Sequence, residues 1–92
     1  MSFHTRNITP GMAIEMFGVN YEGKYNTSDT ALKRYSLEMR KYVIGFAGSQ
    51  FNRIYTAKEI EVLRYIKRRT IAGVSIQKAA LDAVSVYYEI IY

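Results

Sequence analysis

The sequence predicts a mainly α-helical domain that contains one small β-hairpin. Apolar residues recur at helical spacing in four stretches, and each stretch opens with a residue type that caps helices: Thr9, Thr27 or Ser28, Thr56 and Ser75. Two β-prone runs, Tyr42–Phe46 and Phe51–Tyr55, flank a turn-like segment in the middle of the chain. The length of 92 residues favours one domain with a single core.

The N-terminal part predicts an arm followed by a short helix. Residues 1–8 form the expected arm, because no periodic pattern precedes Ile8. Thr9 suits the N-cap, and Pro10 suits the first helical position, where its missing N–H would have no partner anyway. Gly18 is well placed to end this helix in a left-handed conformation. A polar, turn-rich connection follows at Asn20–Asn26; its Lys24 is within reach of a phosphate, although a solvated loop lysine is the commoner case.

A second helix is expected from Thr27 or Ser28 to about Met39. Its inward positions, at helical spacing, are Leu32, Tyr35 or Ser36, and Met39. Its exposed side then carries Asp29, Thr30, Lys33 and Arg34 near the N-terminal end. Recognition helices contact base edges mainly with their first turns, so this arrangement is typical of a DNA-reading helix. The alternative is an ordinary amphipathic surface helix.

The two β-prone runs predict a hairpin that projects as a wing after the second helix. Four polar residues would lie on its tip and outer strand, where they could touch phosphates or the minor groove: Ser49, Gln50, Asn52 and Arg53. A purely structural hairpin is the alternative.

Two further helices complete the expected domain. Thr56 and Glu59 form a capping box for a helix that runs to about Ile71. The basic residues 67–69 at its end complement the helix dipole and need no ligand to explain them. After Gly73 and the cap Ser75, the last helix shows two apolar seams. One seam is expected to pack on the core and the other to meet a second chain. The predicted dimerisation seam comprises Leu81, Val84, Tyr88 and Ile91.

Composition restricts the function classes. The formal charge is +5, and eleven of the 13 Lys and Arg residues lie between Lys24 and Arg69, which favours a polyanionic partner. The absence of cysteine excludes disulfides and thiolate chemistry, and one histidine, His4, makes a protein-held transition metal unexpected. Glu59 and Glu61 point in different directions on a helix, so no catalytic carboxylate pair is expected. Without a long apolar run or a secretory leader, the sequence predicts a cytoplasmic protein that is not an enzyme and has no cofactor.

The order of these elements resembles the MerR-type winged helix-turn-helix. The matching pieces are Ala13–Val19, Thr30-Ala31-Leu32-Lys33-Arg34-Tyr35, Arg53-Ile54-Tyr55-Thr56, Leu63–Ile66 and Gly73-Val74-Ser75-Ile76. The resemblance implies that Arg34 and Tyr35 meet the DNA from the recognition helix, and that Arg53 and Tyr55 hold phosphates from the wing. The connection between the first two helices is longer than in that family. No sensor domain follows the last helix, which implies the branch without a small-molecule effector.

The sequence therefore predicts a sequence-preferring double-stranded DNA-binding protein that acts as a homodimer. Residues 9–74 would form the DNA-binding domain, and residues 75–92 a C-terminal helix that dimerises or begins a longer coiled coil. Base contacts are expected from the segment Ser28–Arg34, and phosphate clamping is expected from Lys24, Arg34, Arg40, Lys41 and Arg53. Transcription regulation and plasmid or phage segregation are the expected roles. The alternatives are an excisionase-like architectural DNA-binding protein and a protein-interaction module that uses the apolar C-terminal helix.

Overall fold

The computed structural model describes residues 5–18, 27–49 and 51–90. Four helices occur there: α1 (Pro10–Phe17), α2 (Asp29–Arg40), α3 (Ala57–Ile71) and α4 (Ile76–Tyr88). α4 packs against both α3 and α2, and α1 packs against α2. The described residues form one small helical domain, and none of its helices is long and apolar enough to cross a membrane.

A hydroxyl side chain caps the N-terminus of each helix, as the sequence predicts. The side-chain oxygens of Thr9, Ser28 and Ser75 each accept a backbone N–H from three residues further on. Thr56 and Glu59 form the full capping box, with the Glu59 N–H donating to Thr56 Oγ1 over 3.1 Å. These contacts satisfy donors that a helix N-terminus otherwise leaves unpaired. The predicted helix starts are therefore confirmed.

The core lies between α2, α3 and α4. The predicted inward positions of α2 are all buried: Leu32, Tyr35, Ser36 and Met39. α3 contributes Ile60, Val62, Leu63 and Ile66, and α4 contributes Ala79, Ala80, Ala83 and Val84. Residues of both apolar seams of α4 are thus enclosed by this chain. α4 ends at Tyr88, where Glu89 adopts a left-handed conformation.

The predicted β-hairpin, and with it the winged helix-turn-helix fold class, is wrong. Tyr42–Phe46 forms turns that continue from the end of α2, with the N–H groups of Tyr42 and Val43 donating to Met39 O. Among the described residues, pairing is limited to two isolated antiparallel bridges, Gly48 with Arg53 and Ile8 with Tyr55. No strand forms in that part of the chain, so the domain is all-helical there.

The backbone conformation and two charged side chains explain why the hairpin fails. Gly45 has a φ angle of 80°, which interrupts the extended backbone of the run 42–46. The Arg40 guanidinium donates to Phe46 O and Ser49 O, and the Glu59 carboxylate accepts the Ala47 N–H. Side chains therefore take the backbone groups that a strand ladder would pair. Phe46 is fully buried, so its β propensity is overridden by packing.

Glu59 connects the N-terminal arm to this turn region. Its carboxylate accepts from Arg6 Nη1 at 2.6 Å and Nη2 at 3.0 Å, and from the N–H groups of Ala47 and Thr56 at 3.0 Å each. The residue is only 5% exposed, so these donors replace water around a buried charge. The arm at Arg6 is consequently fixed to α3.

Candidate nucleic-acid interface

The exposed face of α2 is the candidate surface for binding a nucleic acid, and it carries cationic side chains. Five of its side chains lie in solvent in a row along the helix: Thr30, Lys33, Arg34, Leu37 and, just after the helix, Lys41. The face exists because the opposite side of α2 carries Leu32, Tyr35 and Met39 into the core at spacings of three and four. None of the described residues covers it.

The cations on this face differ in their pairing. Lys33 and Arg34 have no hydrogen-bond or ion-pair partner among the described residues. Lys41 Nζ lies 2.9 Å from Glu38 Oε1, and this hydrogen bond raises the pKa of the fully exposed lysine. Lys33 and Arg34 thus carry the available positive charge.

The Arg53 segment (residues 48–49 and 51–55) lies beside the N-terminal end of α2. Arg53 Nη2 donates to both carboxylate oxygens of Asp29, at 2.8 and 2.7 Å, and its Nη1 donates to the Tyr55 hydroxyl at 2.8 Å. Burial alone would lower the pKa of Arg53, but the Asp29 hydrogen bond and the charges of Tyr55 and Asp29 raise it above its ordinary value. The predicted wing residues are therefore next to α2, although they do not form a wing.

Two grooves flank the exposed face of α2. The larger, of about 280 Å³, lies against the Arg53 segment and is lined by Lys33, Leu37, Arg40, Phe51 and Arg53. The smaller, of about 110 Å³, lies against the start of α4 and is lined by Arg34, Leu37, Glu38, Ile76 and Gln77. Leu37 borders both, so α2 stands as a ridge between them.

The structure divides the predicted DNA-contacting residues into two groups. Those exposed on the surface are Ser28, Thr30, Lys33, Arg34, Lys41, Ser49 and Asn52. Those engaged inside the protein are Asp29 and Arg53 in their ion pair, Arg40 with two carbonyls, and the buried Tyr35 and Tyr55. Lys24 and Gln50 lie outside the described residues, as does His4. The family resemblance implies DNA contacts for Tyr35 and Tyr55, but both rings are buried in the core and are not exposed to a ligand.

Sequence reasoning missed two exposed apolar residues beside these cations. Leu37 lies on the open face of α2, and Phe51 is 94% exposed at the edge of the larger groove. The signal for Leu37 was its helical spacing from Thr30 and Arg34, which places it on the outer face. The β-prone run 51–55 predicts Phe51 to be a strand residue, and a strand pattern does not indicate that this ring is exposed.

The predicted dimerisation seam is largely internal. Val84 is fully buried in this chain, Leu81 and Tyr88 are partly buried, and Ile91 lies outside the described residues. Lys58 Nζ lies 4.2 Å from the centroid of the Tyr88 ring and covers part of it. The exposed apolar residues of this region are Val86 and Ile90 instead. The homodimer itself stays a prediction.

A third groove, of about 430 Å³, lies between the end of α1 and α3. It is lined by Phe17, Arg64, Lys67, Arg68 and Ile71. Arg64 donates to Met16 O and lies 3.7 Å from Glu61 Oε1, so it ties the two helices together. In the part of the chain that the structure describes, no group of three or more His, Cys, Asp or Glu side chains is arranged to hold a metal ion.

Comparison of the chain with family models, with curated proteins and with solved structures found no match. The resemblance to the MerR-type family therefore rests on the sequence motifs alone, and the arrangement of surface residues has to carry the functional argument.

Proposed function

We propose that this protein binds double-stranded DNA through the exposed face of α2, which enters the major groove, while the Arg53 segment faces the adjoining backbone. The observation that carries the proposal is the pair Lys33 and Arg34, both exposed, adjacent and without a partner among the described residues. An arginine on such a face can bond to guanine or to phosphate, and a lysine can neutralise a phosphate.

The charges around this face support an anionic partner. Asp29 is the acidic residue in the first turn of α2, and Arg53 neutralises it. Glu38 is paired with Lys41. The carboxylates near the face are thus offset by cations that are already in place, and Lys33 and Arg34 add uncompensated charge. A duplex phosphate backbone would meet a positive surface there.

The shape of this face suits a duplex groove. α2 is a ridge with a groove on each side, and an α-helix of ordinary width fits the major groove. Thr30 offers a short side chain at the exposed N-terminal end, which allows close approach to bases, and Leu37 offers an apolar contact for a thymine methyl group. Such binding requires a compartment that contains DNA, in keeping with the cytoplasmic location that the sequence predicts.

Fluorescence anisotropy with a labelled duplex tests the proposal. We expect Arg34→Ala to weaken binding by about tenfold, as the loss of one good arginine contact does. The double variant Lys33→Ala/Arg34→Ala should also lower the slope of log affinity against log salt by about 1–2.

Arg68→Ala is the matched control. Arg68 is an exposed arginine on α3, outside the α2 face, and its loss changes the net charge by the same amount. We expect its affinity to change by less than about twofold, since a surface cation outside the binding face contributes only general attraction. Equal losses in the two single variants would show a nonspecific charge effect and contradict binding by the α2 face.

The biological role is tested by recovering the fragments that the protein binds on its host replicon. A single promoter site supports transcription regulation, and an array of repeats supports segregation. Bound sites at recombination junctions support the excisionase-like alternative.

A further inference from the structure

Phe51 is an exposed aromatic residue that has no role in the proposed contacts of α2 with DNA. The side chain is 94% exposed, while Phe46 and Tyr55 on either side along the chain are fully buried. Burying an exposed aromatic ring against a partner is favourable, and Phe51 lines the same groove as the exposed Leu37.

The turn that carries Phe51 is held in place on both sides. Before it, Ser49 O accepts from Arg40 Nη2 at 3.3 Å, and Ser49 Oγ accepts the Asn52 N–H at 2.9 Å. After it, Arg53 pairs with Gly48 in an antiparallel bridge and with Asp29 through its side chain. Ser49 and Arg53 are therefore anchored to the rest of the domain, which lowers the conformational entropy that is lost when the ring contacts a partner.

The groups around the ring favour a nucleic acid over an apolar protein surface. The groove at its base contains the cations Lys33 and Arg40, whose charges no carboxylate of the described residues offsets, and Arg53, whose charge is offset by Asp29; Leu37 is its other apolar residue. Cations at the rim and one ring at the edge match a ligand with an anionic backbone and flat apolar bases. The Phe51 side chain has no polar atom, so it cannot form a hydrogen bond to phosphate and can contact only sugars or bases.

We propose that Phe51 is an apolar wedge that inserts between neighbouring base pairs of the duplex docked on α2, and that the insertion bends the DNA. The inference rests on the proposed function. With α2 in the major groove, the Arg53 segment faces the adjoining strand, from which a side chain enters the minor groove. Apolar wedges of this kind partly unstack one step and kink the duplex by roughly 20–90°.

The experiment measures binding and bending separately on one duplex. The duplex carries a fluorophore at each end for energy transfer, and 2-aminopurine at successive positions to report unstacking. We expect the unaltered protein to shorten the end-to-end distance and to brighten one 2-aminopurine position. Phe51→Ala should abolish both signals and weaken binding by about tenfold, in the range that the loss of one stacking contact costs.

Two further variants serve as controls. Phe51→Leu keeps an apolar wedge and should retain a measurable bend. Ile44→Ala removes an apolar side chain that is 99% exposed but borders a different groove, with Arg6 and Tyr88, so it should change neither signal. All three variants should melt at the temperature of the unaltered protein, because the Phe51 ring and the Ile44 side chain are both on the surface.

The possible outcomes separate this inference from the proposed function. If the unaltered protein binds the duplex in an Arg34-dependent way but neither bends nor unstacks it, or if Phe51→Ala bends it equally, the wedge is overturned and DNA binding stands. If Phe51→Ala lowers the affinity for single-stranded DNA but leaves the affinity for the duplex unchanged, the wedge is likewise overturned. If the unaltered protein binds no duplex, the proposed function and the wedge fall together.

Discussion

The exposed face of α2 and the Arg53 segment lie side by side, yet their arginines have opposite environments. Arg34 is exposed and has no partner among the described residues. The Arg53 side chain is 8% exposed and donates to Asp29 and to the Tyr55 hydroxyl. From the sequence alone, both arginines are equally good candidates for contacts with DNA.

Under the proposed DNA binding, the two arginines would have different roles: Arg53 would prepare the surface, and Arg34 would contact the DNA. Without Arg53, the Asp29 carboxylate would present a negative charge in the first turn of α2, where it would repel phosphate. Arg53 neutralises this charge and also fixes the turn next to α2. The contacts of Arg53 are thus within the protein, and under the proposed function its contribution to binding would be indirect.

The largest effect is expected where the Arg53 side of the molecule is attached to α3. Glu59→Ala would leave the Ala47 and Thr56 N–H groups and the Arg6 guanidinium without their acceptor. We expect the free energy of unfolding to fall by about 4 kcal/mol, because a buried charge-assisted network loses its centre. Urea denaturation measures this loss.

Glu61→Ala is the control for that measurement. Glu61 is exposed on the same helix, and its single ion pair with Arg64 spans 3.7 Å. We expect a loss below about 0.5 kcal/mol, as for most exposed pairs. Similar losses for Glu59→Ala and Glu61→Ala would mean that the carboxylate of Glu59 does not hold the turn region.

The next effect tests the two arginines directly. Arg53→Ala should lower the free energy of unfolding by about 2–3 kcal/mol, because Asp29 and the Tyr55 hydroxyl lose a largely buried partner. Arg34→Ala should change it by less than about 0.5 kcal/mol, because the side chain is exposed and unpaired. Denaturation and DNA titration of both variants make the comparison.

Arg53→Lys sharpens this comparison. A lysine keeps the charge but cannot donate to both Asp29 oxygens and to Tyr55 at once, so it should restore only part of the lost stability. Full recovery by lysine would show that charge alone matters at this position. A large destabilisation by Arg34→Ala would show that the Arg34 side chain makes a contact that stabilises the fold.

The helices were predictable because their signals are local. Thr9, Ser28, Thr56 and Ser75 each act within their own first turn, and the inward positions of α2 follow from spacing along one helix. A cap or an apolar stripe needs no knowledge of the rest of the chain. The positions of the exposed cations Lys33 and Arg34 followed from the same spacing.

Neither the failure of the hairpin to form nor the structural role of Arg53 was predictable, because the hydrogen bonds responsible join residues that are distant in sequence. The Ala47 N–H bonds to Glu59, twelve residues away, and Arg53 bonds to Asp29, twenty-four residues away. Strand propensity in residues 42–46 is real, but it competes with these tertiary hydrogen bonds and loses. The apolar pattern of α4 likewise gives two seams without showing that α2 and α3 both pack against this helix.

The smallest effect concerns Tyr88, which lies near Glu59 and Arg6 on the enclosed side of the molecule. Burial and the Glu59 carboxylate raise the pKa of Tyr88 to about 12, partly opposed by Arg6. The unfolded chain loses this proton near pH 10, whereas the folded protein keeps it. The contribution to stability is therefore complete below pH 10 and is lost as the pH rises to about 12.

Comparing the protein with Tyr88→Phe isolates this titration from that of the other tyrosines and lysines. Phenylalanine keeps the ring beneath Lys58, so the two proteins should have similar stability at neutral pH. Between pH 10 and 12 the unaltered protein should lose about 1–2 kcal/mol more than the variant, since one pKa unit corresponds to about 1.4 kcal/mol and Tyr88 is only partly buried. Parallel pH profiles would show that the Tyr88 hydroxyl is open to water. They would also show that Tyr88 does not help to enclose Glu59. The contrast between the buried surroundings of Glu59 and the exposed face of α2 would then be weaker.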